Sequence, residues 1–256
     1  MRSLWLLFLL SSALGQGLEL GAFGLGGHPP TAYVRLSGQA LGERMRLSYA
    51  IAPYWRFGLG EGGISLEQLY LVVEGEDLDL TLGRLPLTLG EGRLFPFSWD
   101  RLGPAAGMEG VWGVFLTGYG EARWRVGYFL DQGVLAEVAL PDLRVFAFSH
   151  GVGVAGNIRL GAGVAYGEAL LTRWEPRGLV GITWALEEGQ LLVEVVYPWA
   201  WGGRWLGGSE GVLYWLQFIY REGLGWGVGL ELEGLSLSMG GGEGLWSWQV
   251  AWRGEF

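Results

Sequence analysis

The chain has 256 residues, half of them hydrophobic, with 48 glycines, 15 tryptophans, no cysteine and a formal net charge of −9. No disulfide can brace it, its acidic balance argues against nucleic acid as a partner, and two histidines without a thiol leave no ordinary His-rich or thiolate metal site. Mean hydropathy is high at +0.27, yet the apolar residues are spread in alternation, and abundant glycine argues against a helical bundle. The chain is read as all-β.

The opening, MRSLWLLFLLSSALGQG, has one positive charge at Arg2, an apolar core and small residues before Gly15. It reads as a secretory signal peptide over residues 1–15, cleaved after Gly15; it is too short for a membrane-spanning helix. Residues 16–256 then form one domain, a string of alternating segments broken by Gly, Pro, Asp and Glu, as successive antiparallel hairpins are. In the first hairpin Ala32, Val34, Leu36 and Ala40 share one face and Tyr33, Arg35, Ser37 and Gln39 the other; Met45, Leu47, Tyr49 and Ile51 then oppose Arg44, Arg46, Ser48 and Ala50. Further strands are expected at 64–74, 78–86, 108–117, 122–130, 134–140, 143–150, 158–166, 169–174, 179–187, 190–197, 212–221 and 225–238. With the first segment, 17–25, and the last, the count is about 14–16 and best fits sixteen. This is a single transmembrane, antiparallel, up-and-down barrel. The longer connections 58–63, 87–107, 198–211 and 240–244 then fall on the side away from the termini.

The alternation places Arg35, Arg44, Arg46, Arg123, Arg125, Arg144, Arg159 and Arg253 inward, with Glu137, Glu194, Glu231 and Glu233. Asp79 and three glutamines, Gln39, Gln217 and Gln249, join them, as does Glu67 from a strand whose phase the pattern does not fix. A water-filled pore and a lumen packed with arginine–carboxylate pairs both fit this set. Gly58-Leu-Gly60-Glu-Gly62-Gly63 matches a dinucleotide fingerprint, but a strand follows it where a helix is needed. Ser149 and His150 are adjacent on a strand, point to opposite faces and cannot form a nucleophile–base pair.

The final segment, LWSWQVAWRGEF, puts Trp246, Trp248, Val250, Trp252 and Phe256 on one face and Ser247, Gln249, Ala251, Arg253 and Glu255 on the other. It resembles the closing strand of bacterial outer-membrane β-barrels, and the resemblance implies that Trp252 and Phe256 belong to the signal read by the barrel-assembly machinery, with outer-membrane lipid around the wall. The run Gly83-Arg84, Gly90-Glu91-Gly92-Arg93, Trp99-Asp100 is similar to a segment of outer-membrane porins of the alginate-export and carbohydrate-porin kind, which are generally longer chains. There it leads into a loop that narrows the lumen. Carried over, the resemblance makes Arg84, Arg93, Asp100 and Arg101 a charged eyelet and Trp99 a stacking surface for sugar rings. An ordinary solvated outer loop stands beside that reading. The expectation is a porin-like channel for passive diffusion of small hydrophilic solutes, without enzymatic chemistry, cofactor or metal. The alternatives are a filled structural or surface-binding barrel, a soluble secreted β-sandwich and an outer-membrane hydrolase.

Overall fold

The computed structural model describes residues 16–89, 91–95, 97, 101–102, 105, 107–173, 175–209, 211–242 and 245–255. Residues 1–15, expected from the sequence to be a signal peptide, lie outside them. The described residues form β1 (Gln16–Leu25), β2 (Thr31–Leu41), β3 (Met45–Arg56), β4 (Glu61–Glu74), β5 (Leu78–Leu85), β6 (Arg101–Leu102), β7 (Met108–Glu109), β8 (Val111–Gly118), β9 (Arg123–Phe129) and β10 (Gly133–Ala139). They continue with β11 (Leu143–Phe148), β12 (Gly151–Leu160), β13 (Gly163–Thr172), β14 (Pro176–Leu186), β15 (Gly189–Tyr197), β16 (Ala200–Ser209), β17 (Val212–Tyr220), β18 (Leu224–Leu232), β19 (Leu235–Gly242) and β20 (Leu245–Glu255).

All but β6 and β7 belong to one 18-stranded sheet in which each strand pairs antiparallel with its neighbours in the chain. β5 pairs with β8, and β6 and β7 form a separate two-stranded ribbon inside that connection. The sheet closes where β1 meets β20, from Gly17 opposite Glu255 to Leu25 opposite Ser247. Closure satisfies the backbone of strands that would otherwise form open edges.

The sequence count of sixteen is corrected to eighteen. Residues 198–211, expected as a loop because of their glycines and proline, contain β16. Its inward Gly202 and Arg204 alternate with outward Trp201 and Trp205, and it pairs along its length with β15 and β17. The stretch 225–238 is two strands, folded at Glu233 (φ 44°) and Gly234 (φ 87°). Two successive positive φ values make the tight turn that matches hairpin twist, and Gly at the second position accepts it without strain. The expected strands 158–166 and 169–174 are replaced by β12 and β13, ten residues each, joined at 161–162.

Exposed Val152, Val154, Trp184, Val195, Trp246, Val250 and Trp252 lie on the outer face. Buried Tyr33, Phe129, Phe146, Tyr166 and Leu179 lie on the inner one. The break in phase around Glu67 is a bulge. Ala50 pairs with Gln68 and Ile51 with Leu66, so Glu67 is an extra residue opposite no partner, and both it and Gln68 face inward. Both sides of the barrel are joined by short turns except for the connection 86–110, on the side away from the termini.

Gly83, in β5, has φ 127°, and a Cβ there would run into the carbonyl oxygen of Leu69. Gly83→Ala is expected to lower stability by about 2 kcal/mol, read as a reduced urea midpoint in micelles. Gly178→Ala, whose Cβ would come no nearer than 4.0 Å to Tyr197, should leave the midpoint almost unchanged.

Candidate functional site: the loop inside the barrel

The described residues of the connection 86–110 run along the inner wall of the barrel. Leu85, Leu87 and Leu89, with exposures of 3%, 1% and 0%, pack on Phe129, Leu135, Phe146, Ala155 and Leu170, inward residues of β9 to β13. Their spacing keeps successive leucines on one side of an extended segment, which is why the outgoing limb adheres to an apolar strip of wall. Farther along, Leu94 and Phe95 cover Tyr166, Leu179, Leu192, Val196 and Ala200. The returning limb reaches the other side of the lumen, where Ala105 packs on Tyr33 and Ala52.

Chain without strand partners must satisfy its amides elsewhere when buried. Here wall carboxylates do so. Glu168 accepts from the backbone nitrogen of Glu91 at 2.7 Å. Glu194, wholly buried, accepts from the backbone nitrogens of Arg93, Leu94 and Phe95 at 2.5, 2.9 and 3.0 Å and from the Tyr166 hydroxyl at 2.6 Å. Three successive amides converging on one point make a nest for an anion, and the wall supplies that anion. Bonds of this charge-assisted type contribute about 1.5–3 kcal/mol each. Arg144 donates to the Glu91 side chain at 2.8 Å, and Arg177 donates to the Phe95 carbonyl.

The return limb is tied down by Arg35, which donates to the Ala105 carbonyl at 3.0 Å, and by Ser65, whose hydroxyl meets Glu109 at 2.7 Å. Arg84 binds Glu109 at 2.8 Å and the Gly110 carbonyl at 2.9 Å. Two ion clusters stiffen the wall. Arg35 bridges Glu19 and Glu67, with Arg253 and Tyr33 also on Glu19. Glu137, with no exposed side-chain surface, takes Arg125 at 2.6 Å, Arg123 at 3.5 Å and Arg144 at 3.8 Å.

The register places Arg35, Arg46, Arg123, Arg125, Arg144, Arg159, Arg253, Glu137, Glu194 and Glu231 in inward rows. Arg159 and Glu231 are exposed there, toward the terminus side. Arg44 lies in the turn 42–44 and Glu233 in the turn 233–234, so neither stands on a strand: the first precedes β3 and the second is taken by the fold between β18 and β19.

Arg84 and Arg93 share no partner. By register Arg84 sits opposite Leu69 and Trp112, on the outward row, and its guanidinium turns back to Glu109 at the root of the loop. Arg93 lies at the far reach of the outgoing limb, with its guanidinium over the Tyr166 ring at 5.1 Å and donating to Thr183 at 2.9 Å. Trp99 and Asp100 are outside the described residues, and Arg101 is described only as backbone in β6. Trp252 is exposed on the outer face between Leu20 and Leu235; Phe256 lies outside the described residues.

Sequence reasoning missed Glu19, Glu168, Arg177 and Arg204. Alternation within β1 would have found Glu19. Glu168 was hidden by a turn expected at 167–168, and Arg204 by the loop expected at 198–211. Among the described residues, no cluster of acids and histidines suits a metal ion, and no helix is long and apolar enough to cross a membrane.

No protein-family model matches the chain, and no curated protein matches it. Solved structures do. A triple mutant of Rhodopseudomonas blastica porin is 9% identical, with a TM-score of 0.51 over 94% of this chain and 98% of that one. Another mutant of the same porin gives 10% identity and the same TM-score and coverage. A structure described as asymmetric conductivity of engineered proteins gives 11% identity and a TM-score of 0.50, over 94% of this chain and 99% of that one. Likeness at this identity concerns the fold, which is that of a porin-like closed β-barrel.

Glu194→Gln replaces an acceptor of four bonds by a group that also carries donors. Stability is expected to fall by about 3 kcal/mol, and trypsin should cut after Arg93 much faster than in the parent protein. Glu231→Gln, at an exposed inward position, should change neither reading.

Proposed function

We propose that the chain is an outer-membrane channel of porin type, exported by a cleaved signal over residues 1–15, through which small hydrophilic solutes diffuse passively. The connection 87–107 acts as its constriction. One observation carries the reading: a long segment is held across the interior of a closed barrel by wall carboxylates that bind its backbone. A connection kept inside in this way sets the width and charge of whatever passage remains. The solved porins of the same fold lend support, as does the outer face, apolar and rich in tryptophan as a wall in lipid must be. The aromatic closing strand fits insertion by the barrel-assembly machinery. No chemistry and no cofactor enter the proposal.

A second reading, a barrel with a filled lumen serving as an envelope anchor, is favoured by the apolar packing of Leu87 and Leu89 against the wall. Planar-bilayer recording of the refolded chain separates the two. Stepwise conductance is the expected result, and a persistently silent bilayer would establish the filled barrel instead. In a conducting protein, replacing Arg84, Arg93 and Arg101 together by Ser should move the reversal potential toward cation preference. An unchanged potential would remove those arginines from the constriction.

A further inference from the structure

Beside the loop, on the terminus side, lies a cavity of ≈ 370 Å³ lined by Arg93, Gln190, Leu192, Arg204, Leu206 and Trp215.

We propose that this cavity binds a small solute with a carboxylate head and a planar aromatic body. The proposal deepens the channel reading and rests on it, since solute must reach the lumen. Its first ground is charge. Among the described residues neither Arg93 nor Arg204 has an ion-pair partner. Arg93 donates through Nη1 to Thr183 at 2.9 Å, and Arg204 donates to Gln217, at 2.8 Å through Nε. Glu194 is the acid beside them, but both its oxygens are taken by the loop amides and Tyr166. Two guanidiniums therefore border one cavity with donors to spare, a setting that favours a planar carboxylate.

The second ground is the surface beside that charge. Trp215 pairs across the sheet with Gly229, and its ring lies over Gly227 and Gly229, where a Cβ would collide with the indole. One indole face is thus laid on backbone. The guanidinium of Arg204 stands 6.0 Å from the ring centroid. Leu192 and Leu206 supply apolar wall. A strongly hydrated anion would leave these surfaces without a partner, whereas an aromatic carboxylate meets both the cations and the apolar wall.

Benzoate is the probe, measured by saturation-transfer NMR on the full refolded chain in detergent micelles, with benzyl alcohol and inorganic phosphate as comparisons. Benzoate should bind, with affinity falling about tenfold in Arg204→Gln and in Arg93→Gln and also falling in Trp215→Leu. Arg204→Lys, which keeps the charge, should retain part of the affinity and guards against a folding defect; heat-dependent gel mobility checks each variant. Benzoate binding that ignores Arg204→Gln and Arg93→Gln, or phosphate binding as tightly as benzoate, would overturn the proposal. The micelle measurement needs no conduction. A conducting bilayer with no benzoate binding therefore defeats this site alone, while benzoate binding in a protein that never conducts defeats the channel and keeps the site.

Discussion

The structure depends on a rule about backbone: inside hydrocarbon, every amide and carbonyl must find a partner within the protein. A sheet meets the rule only when its first strand reaches its last, and here β1 lies against β20 over nine residue pairs. Once the sheet is closed, each strand has an outer row and a luminal row, and the sorting of side chains follows. Tryptophan, valine and leucine occupy the outer row with no second layer of protein to cover them, and in the channel proposed above lipid takes that place.

The same rule explains the interior. A connection that enters the barrel leaves its amides without the neighbours a strand would have, and burial forbids water as a general remedy. Glu168 and Glu194 meet the loop at the points where its nitrogens turn toward the wall. The leucines and phenylalanines of the outgoing limb add apolar contact with β9 to β16. Arginine serves a different purpose on the opposite wall, where Arg35 of β2 holds Glu19 of β1, Glu67 of β4 and a loop carbonyl at once.

The sequence made the class of fold legible wherever alternation was strong, as in β2, β3 and β20, because period-two patterning has no other common cause. It failed where composition imitated a loop. The glycines of β16 suggested turns, yet in a narrow lumen glycine also makes room for neighbouring side chains. The hairpin of β18 and β19 was concealed because Leu232 and Leu235 are separated by only Glu233 and Gly234, so the hydrophobic rhythm appeared to run on. The position of the long loop was legible from its length, and its way of being held was not. Glu168 and Glu194 bind backbone atoms, whose placement depends on three-dimensional folding and leaves no side-chain signature to match.

Glu67 shows a different economy of construction. It is the unmatched residue of the bulge between β3 and β4, with Leu66 and Gln68 retaining regular opposition to Ile51 and Ala50. An acid has thus been inserted into the wall while the outward-facing rhythm on both flanks stays in step. A single codon gained or lost at such a point alters the charge of the interior without re-threading the remaining strands, so the irregular site is where this architecture is most open to evolutionary revision.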